Sequence, residues 1–169
     1  MPAIVQTRGP NRLPHHLSWR HDSAAPIDVI GKVFILPRIL VVDDDPMVCM
    51  AIEACLKRQG FEVTVADGGE AGMRALESRS FDLMLIDIFM PHMSGYESIR
   101  IFHERAPAIP LIAMSGYAFA DPGAASSDFL RSTLQFGAAC CLRKPFRPEA
   151  LLAAVNECLG KPTNAAKSP

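Results

Sequence analysis

Ile39-Leu40-Val41-Val42 and Leu83-Met84-Leu85-Ile86 are unbroken apolar runs, and each closes on aspartate. A strand with one wet face alternates apolar and polar residues, whereas a run that is apolar at every position belongs to a strand covered on both faces, the habit of parallel sheets. Similar short runs recur along the chain, and their spacing predicts strands at Ile39–Val42, Glu62–Ala66, Leu83–Asp87, Leu111–Met114 and Ala139–Leu142. Stretches of helical periodicity lie between and after them, beginning near Pro46, Gly69, Ser94, Ser126 and Arg147. The first puts Val48, Ile52, Cys55 and Leu56 on one face and stops before Gly60, a residue suited to a left-handed C-terminal turn. The last places Leu151, Leu152, Val155 and Leu159 in the same way and ends at Gly160-Lys161-Pro162. Repeated βα units with right-handed crossovers predict an α/β fold, a parallel sheet between two helical layers.

With 169 residues, 49% hydrophobic and 21% charged, the chain has room for one ordinary soluble domain with its own core. That domain is expected over residues 38–160. Residues 1–37, rich in Pro, His, Arg and Ser, are expected to form a mostly disordered tail in which His15, His16 and His21 are solvated, and residues 161–169 a second one. A net charge of -1 gives no general attraction to nucleic acid or to acidic membranes, so neither is an expected partner. No apolar run is long enough to cross a bilayer and no secretory leader is visible, so the expected location is cytoplasmic. The cysteines Cys49, Cys55, Cys140, Cys141 and Cys158 lack the spacing of a zinc site and are odd in number, which predicts reduced core thiols. Neighbours on a strand face opposite ways, so Cys140 and Cys141 are expected to pack rather than to pair with each other.

In open α/β sheets, ligands bind outside the carboxyl ends of the strands. Asp43 and Asp44 follow the first strand, Asp87 ends the third, Ser115 follows the fourth and Lys144 follows the fifth. One aspartate at a strand end is readily explained as the cap of the next helix. Three carboxylates converging on one place need a hard cation to offset their repulsion, and such oxygen ligands suit Mg²⁺ or Mn²⁺. Asp45, directly before Pro46, is better placed to cap the first helix than to bind metal. The set as a whole is equipment for phosphoryl transfer: a nucleophilic carboxylate, a cation, a hydroxyl and an ammonium group.

The segments Ile39-Leu40-Val41-Val42-Asp43-Asp44-Asp45-Pro46, Asp82-Leu83-Met84-Leu85-Ile86-Asp87-Ile88-Phe89-Met90-Pro91-His92-Met93-Ser94-Gly95 and Lys144-Pro145-Phe146 resemble the receiver domain of bacterial two-component response regulators. The likeness covers Arg38 to Gly160. It implies a flavodoxin-like (βα)5 fold with a five-stranded parallel sheet of order 2-1-3-4-5. It further implies that Asp87 is the phosphate acceptor, that Asp43 and Asp44 flank a cation together with Asp87 and the backbone carbonyl of Phe89, and that Ser115 is the switch hydroxyl and Lys144 the phosphate-binding lysine. The implied donor is a sensor histidine kinase or a histidine phosphotransfer protein, and the implied output is contact with a downstream target protein by a stand-alone receiver that is not an enzyme in its own right.

Where such receivers usually carry an aromatic switch residue, three positions before the lysine, this chain has Cys141. The usual coupling of hydroxyl and aromatic is therefore not expected, and a phosphorylation-independent interaction module is the alternative reading. An aspartyl phosphatase is a further alternative, but its motif would have to be Asp43-Asp44-Asp45-Pro46-Met47, which lacks the hydroxyl or valine that motif requires. The segment from Tyr117 to Asp128 is long for its place and is expected to shape partner choice. Phe89 and Tyr117, two residues beyond Asp87 and Ser115, are poorly suited to orient a hydrolytic water, which predicts a long-lived phosphoryl group. Homodimerisation is left open, because Cys141 and this loop lie near the helical face through which such domains often pair.

Overall fold

Five short parallel strands, each carrying its apolar side chains to both faces, organise the chain: β1 (Arg38–Val42), β2 (Glu62–Ala66), β3 (Leu83–Asp87), β4 (Leu111–Ser115) and β5 (Cys140–Arg143). The computed structural model describes residues 36–93, 95–116 and 132–160. Among these, the helices are α1 (Pro46–Lys57), α2 (Gly69–Ser78), α3 (Tyr96–Arg105), a short helical stretch α4 at 132–135, and α5 (Pro148–Cys158). The sheet order is β2-β1-β3-β4-β5, and every pairing is parallel. This is the flavodoxin-like order that the sequence resemblance implies.

Strand alternation divides the interior in two. Ile39, Val41, Leu83, Leu85, Ile112 and Cys140 face the layer of α1 and α5. Leu40, Val42, Met84, Ile86, Ala113 and Cys141 face α2 and α3. All of these are buried, so β1, β3, β4 and most of β5 are covered on both sides.

Local chemistry sets the helix ends. Asp45 caps α1 through its carboxylate, which accepts from the Met47 and Val48 N–H groups, and Pro46 sits in the first turn where its missing N–H costs nothing. Gly60, at φ +80°, supplies the left-handed turn after α1, and the Phe61 N–H reaches back to the Leu56 carbonyl. The buried face of α1 is Cys49, Ile52 and Leu56, while Val48 and Cys55 pack at its flanks. The buried face is thus rotated by about one residue from the expected one. In α5 the buried positions are Leu151, Ala154 and Val155, with Leu152 and Leu159 at the margin.

Other boundaries move slightly from expectation. β4 runs on to Ser115 and β5 spans Cys140–Arg143, since the parallel ladder pairs Ser115 with Arg143. α3 starts at Tyr96, after a turn with His92 at φ 63° and Gly95 at φ 45°, conformations that no helix can continue. Tyr96 at its start stacks on Phe136 after α4, ring centroids 5.2 Å apart. Residues 1–35 of the expected tail at 1–37, the expected tail at 161–169, the segment from Tyr117 to Asp128 and the helix start near Ser126 lie outside the described residues.

Gly72 on α2 packs close against both α3 and β1. A Cβ there would lie 2.8 Å from both Phe102 Cζ and Val42 Cγ2, and both side chains belong to the filled core. Gly72→Ala is expected to destabilise the fold by about 1–3 kcal/mol despite the better helix propensity of alanine. Urea unfolding measures this, and unchanged stability would mean that the Phe102 ring yields freely.

Candidate functional site

The ladder aligns the strand ends. Val42 pairs with Ile86, so the next residues, Asp43 and Asp87, emerge at one level; Asp87 pairs with Met114 one place before Ser115; and Ser115 pairs with Arg143, which precedes Lys144. The Lys144 N–H donates to the Ser115 carbonyl at 2.7 Å, tying the exit of β5 to the end of β4. The Lys144–Pro145 peptide is cis.

At this edge the Lys144 ammonium donates to Asp43 Oδ2 at 2.5 Å and to Asp87 Oδ2 at 2.8 Å. The other carboxylate oxygens take backbone donors: Asp43 Oδ1 accepts from the Asp45 N–H at 3.0 Å and Asp87 Oδ1 from the Phe89 N–H at 3.1 Å. Both carboxylates are therefore held in fixed orientations. Burial pushes the Asp43 carboxyl above the ordinary carboxylate range, only partly offset by the hydrogen bond from Lys144. At Lys144 burial favours the neutral amine, but hydrogen bonds to Asp43 and Asp87 prevail and hold the ammonium above its usual value. Desolvation wins at the acid and pairing wins at the base, so the charge of the pair rests on geometry.

Asp44 completes the cluster from the solvent side. Oxygen atoms of Asp43, Asp44 and Asp87 lie within 4.8 Å of one another, with Asp44 exposed and the other two buried. One ammonium does not balance three carboxylates, and a hard divalent cation fits a donor set made of oxygen alone. Phe89 stands at the rim, with its N–H on Asp87 and the residue 41% exposed. The Ser115 hydroxyl is buried at the same edge and has no hydrogen-bond partner among the described residues. Every candidate residue named from the sequence thus comes to this one edge, while Asp45 turns away to cap α1.

Two cysteines adjoin this region, of which the sequence marked only Cys141. The Cys49 thiol donates to the Asp43 backbone carbonyl at 3.4 Å, and burial pushes that thiol up to about 11. Cys141 lies in the core between β5 and α4, pushed up to about 12 by burial while a hydrogen bond with Thr133 pulls the other way. Cys49 is visible only once the roll of α1 is known, and Thr133 only once α4 is packed on the sheet.

Comparison with known proteins agrees with this arrangement. Residues 39–156 match the family model of the response regulator receiver domain. The cell cycle response regulator CtrA of Brucella ovis is 31% identical over 131 residues, covering 78% of this chain and 53% of that protein. The chain thus spans about half the length of the curated relatives it matches. Among solved structures, the CheY-like receiver domain protein of Methanospirillum hungatei is 32% identical with a TM-score of 0.66, covering 75% of this chain and 95% of that one. A receiver domain protein of Clostridium thermocellum is 28% identical with a TM-score of 0.64, covering 74% and 95% of the respective chains. The chain belongs to the response regulator receiver domain family.

Proposed function

We propose that Asp87 accepts a phosphoryl group from a phosphohistidine of a sensor histidine kinase or histidine phosphotransfer protein, and that the phosphorylated domain signals by contact with a downstream target protein. The observation that carries this reading is the Lys144 ammonium held between Asp43 Oδ2 and Asp87 Oδ2 beside the exposed Asp44. Of the two buried acids, Asp87 is the one a donor can reach: its side chain is 9% exposed and that of Asp43 0%. An Asp87 oxygen forms the new O–P bond while the P–N bond of the donor breaks and its electron pair returns to the imidazole. Lys144, released from Asp87 Oδ2 as that oxygen loses charge, is within reach of the incoming phosphoryl oxygens.

Receiver domains generally bind Mg²⁺ at an acidic pocket, and here Asp43, Asp44 and Asp87 would hold it, with the Phe89 backbone carbonyl as a further ligand. When bound, the ion neutralises charge on the transferring group. The Ser115 hydroxyl, buried without a partner among the described residues, is poised to donate to a phosphoryl oxygen and draw the end of β4 inwards. The proposed receiver spans 38–160, works in the cytoplasm and catalyses nothing beyond its own phosphorylation and dephosphorylation. A second reading, binding without phosphorylation, draws on Cys141 buried against Thr133 where an aromatic switch is usual.

Intact mass after incubation with acetyl phosphate and Mg²⁺ separates these readings. The parent is expected to gain one phosphoryl group and Asp87→Asn none; a folded parent that gains none points to the binding module. Phe89→Asn, which gives the exposed rim a group able to orient water, is expected to shorten the phosphoryl half-life severalfold, followed by the same mass measurement over time. Ser115→Ala is expected to keep unfolding stability within about 1 kcal/mol of the parent, since the hydroxyl it removes has no described partner, while weakening the difference in target binding between phosphorylated and unphosphorylated protein.

A further inference from the structure

The amino edge of the sheet, opposite the acid cluster, carries a cleft of about 430 Å³ where the ends of α2 and α3 lead into β3 and β4. Its floor is the half-buried Leu76, Ala106 and Ile109, which pack on the core beneath. Its rim is charged: Arg105 of α3 pairs with Glu77 of α2 at 3.3 Å, and Arg79 stands beside them. Ser80 lines the same cleft and accepts from the Arg38 guanidinium at 2.9 Å, while the Arg38 N–H donates to Asp82 Oδ2 at 2.7 Å. The first residue of β1 is thus fastened to the wall of the cleft.

The chain that enters β1 is apolar. Val33-Phe34-Ile35-Leu36 directly precedes Pro37, and Leu36 is 39% exposed. Such a run left in water forgoes the favourable burial of four large side chains. The Glu62 N–H donates to the Pro37 carbonyl at 3.0 Å, so extended pairing continues ahead of Arg38, and a residue before proline is itself biased to extended backbone. Strand alternation then gives the side: Leu40 and Val42 face α2 and α3, Arg38 reaches Ser80, and Leu36 and Phe34 share their parity. Phe34 is two residues from Leu36, at most about 7 Å of extended chain. A segment tethered so closely meets the cleft at a high effective concentration, which favours it over a second copy or a separate partner. Charge agrees as well, because Lys32 complements Glu77, and Asp28, further back, complements Arg79 and Arg105.

We propose that Val33-Phe34-Ile35-Leu36 docks in this cleft, with the Phe34 ring on Leu76, Ala106 and Ile109 as its anchor, and straps the amino edge of the sheet. The strap extends the folded unit ahead of β1. It also holds the polar residues that precede it at the edge away from Asp87, which leaves the acid cluster open to a phosphoryl donor.

Nuclear Overhauser spectra of the full chain with methyl-labelled leucine and isoleucine, together with amide hydrogen exchange, test this. Cross-peaks are expected from the Phe34 ring to the methyl groups of Leu76 and Ile109. Amides of residues 33–36 are expected to exchange about tenfold or more slower than in an unstructured peptide of the same sequence. Phe34→Ser is expected to remove that protection while the amides of β1 and β3 exchange as in the parent. Ala106→Arg, which fills the cleft from its floor, is expected to release the same residues, and the Phe34→Ser comparison decides should that variant fold poorly. A mixture of labelled and unlabelled chains distinguishes docking within a chain from docking between copies. Cross-peaks between chains, cross-peaks from Phe34 to α1 or α5 instead, unprotected amides at residues 33–36, or protection unmoved by Phe34→Ser would each overturn the proposal.

Discussion

A parallel ladder makes every strand start at the same edge of the sheet, so the chain has to cross a face between one strand and the next, and helices end up over both faces. In this protein that demand explains the wholly buried β3 and β4 and the buried run Ile39–Val42 of β1, and it also explains where the chemistry lies. All the strands finish at one edge, so residues that follow them are gathered there whatever their separation along the chain. Asp43 and Lys144 are 101 positions apart and share a hydrogen bond.

Gathering acids in this way carries an electrostatic cost, and the arrangement of donors answers it. Each buried carboxylate has one oxygen on a backbone N–H and the other on Lys144. Such bonds orient the acids but leave the cluster net negative, with Asp44 adding its charge from the solvent side. A site of this kind favours cations and groups whose charge is spread over several oxygens in the presence of a cation, which is the chemistry of phosphoryl transfer. The Ser115 hydroxyl belongs to the same logic. A buried polar atom without a described partner is a cost to the resting fold, and an incoming phosphoryl oxygen is the acceptor that would remove it.

The far side of the sheet differs from the usual receiver pattern at one position. Cys141 is small, buried and hydrogen-bonded to Thr133 of α4, so movement at the end of β4 has no large ring to displace. The Tyr96 and Phe136 rings stack where α3 meets the turn after α4, which gives α4 a second anchor on the same side.

Much of this was legible in the residues themselves. Continuous apolar runs marked the doubly covered strands, Asp45-Pro46 and Gly60 marked the ends of α1, and the acids, Ser115 and Lys144 stood at predicted strand ends because strand and helix periodicities are local properties of the chain. What periodicity left open was the roll of each element. It put Val48 and Cys55 on the face of α1 where Cys49 proved buried, and Leu152 and Leu159 on the face of α5 where Ala154 did, because rotation of a helix by one residue is decided by the surface it packs on. The same is true of contacts between elements. That Lys144 reaches both acids and that Cys141 meets Thr133 depends on strand register and helix placement, which are set by long-range packing and leave no pattern in the sequence near any one of these residues.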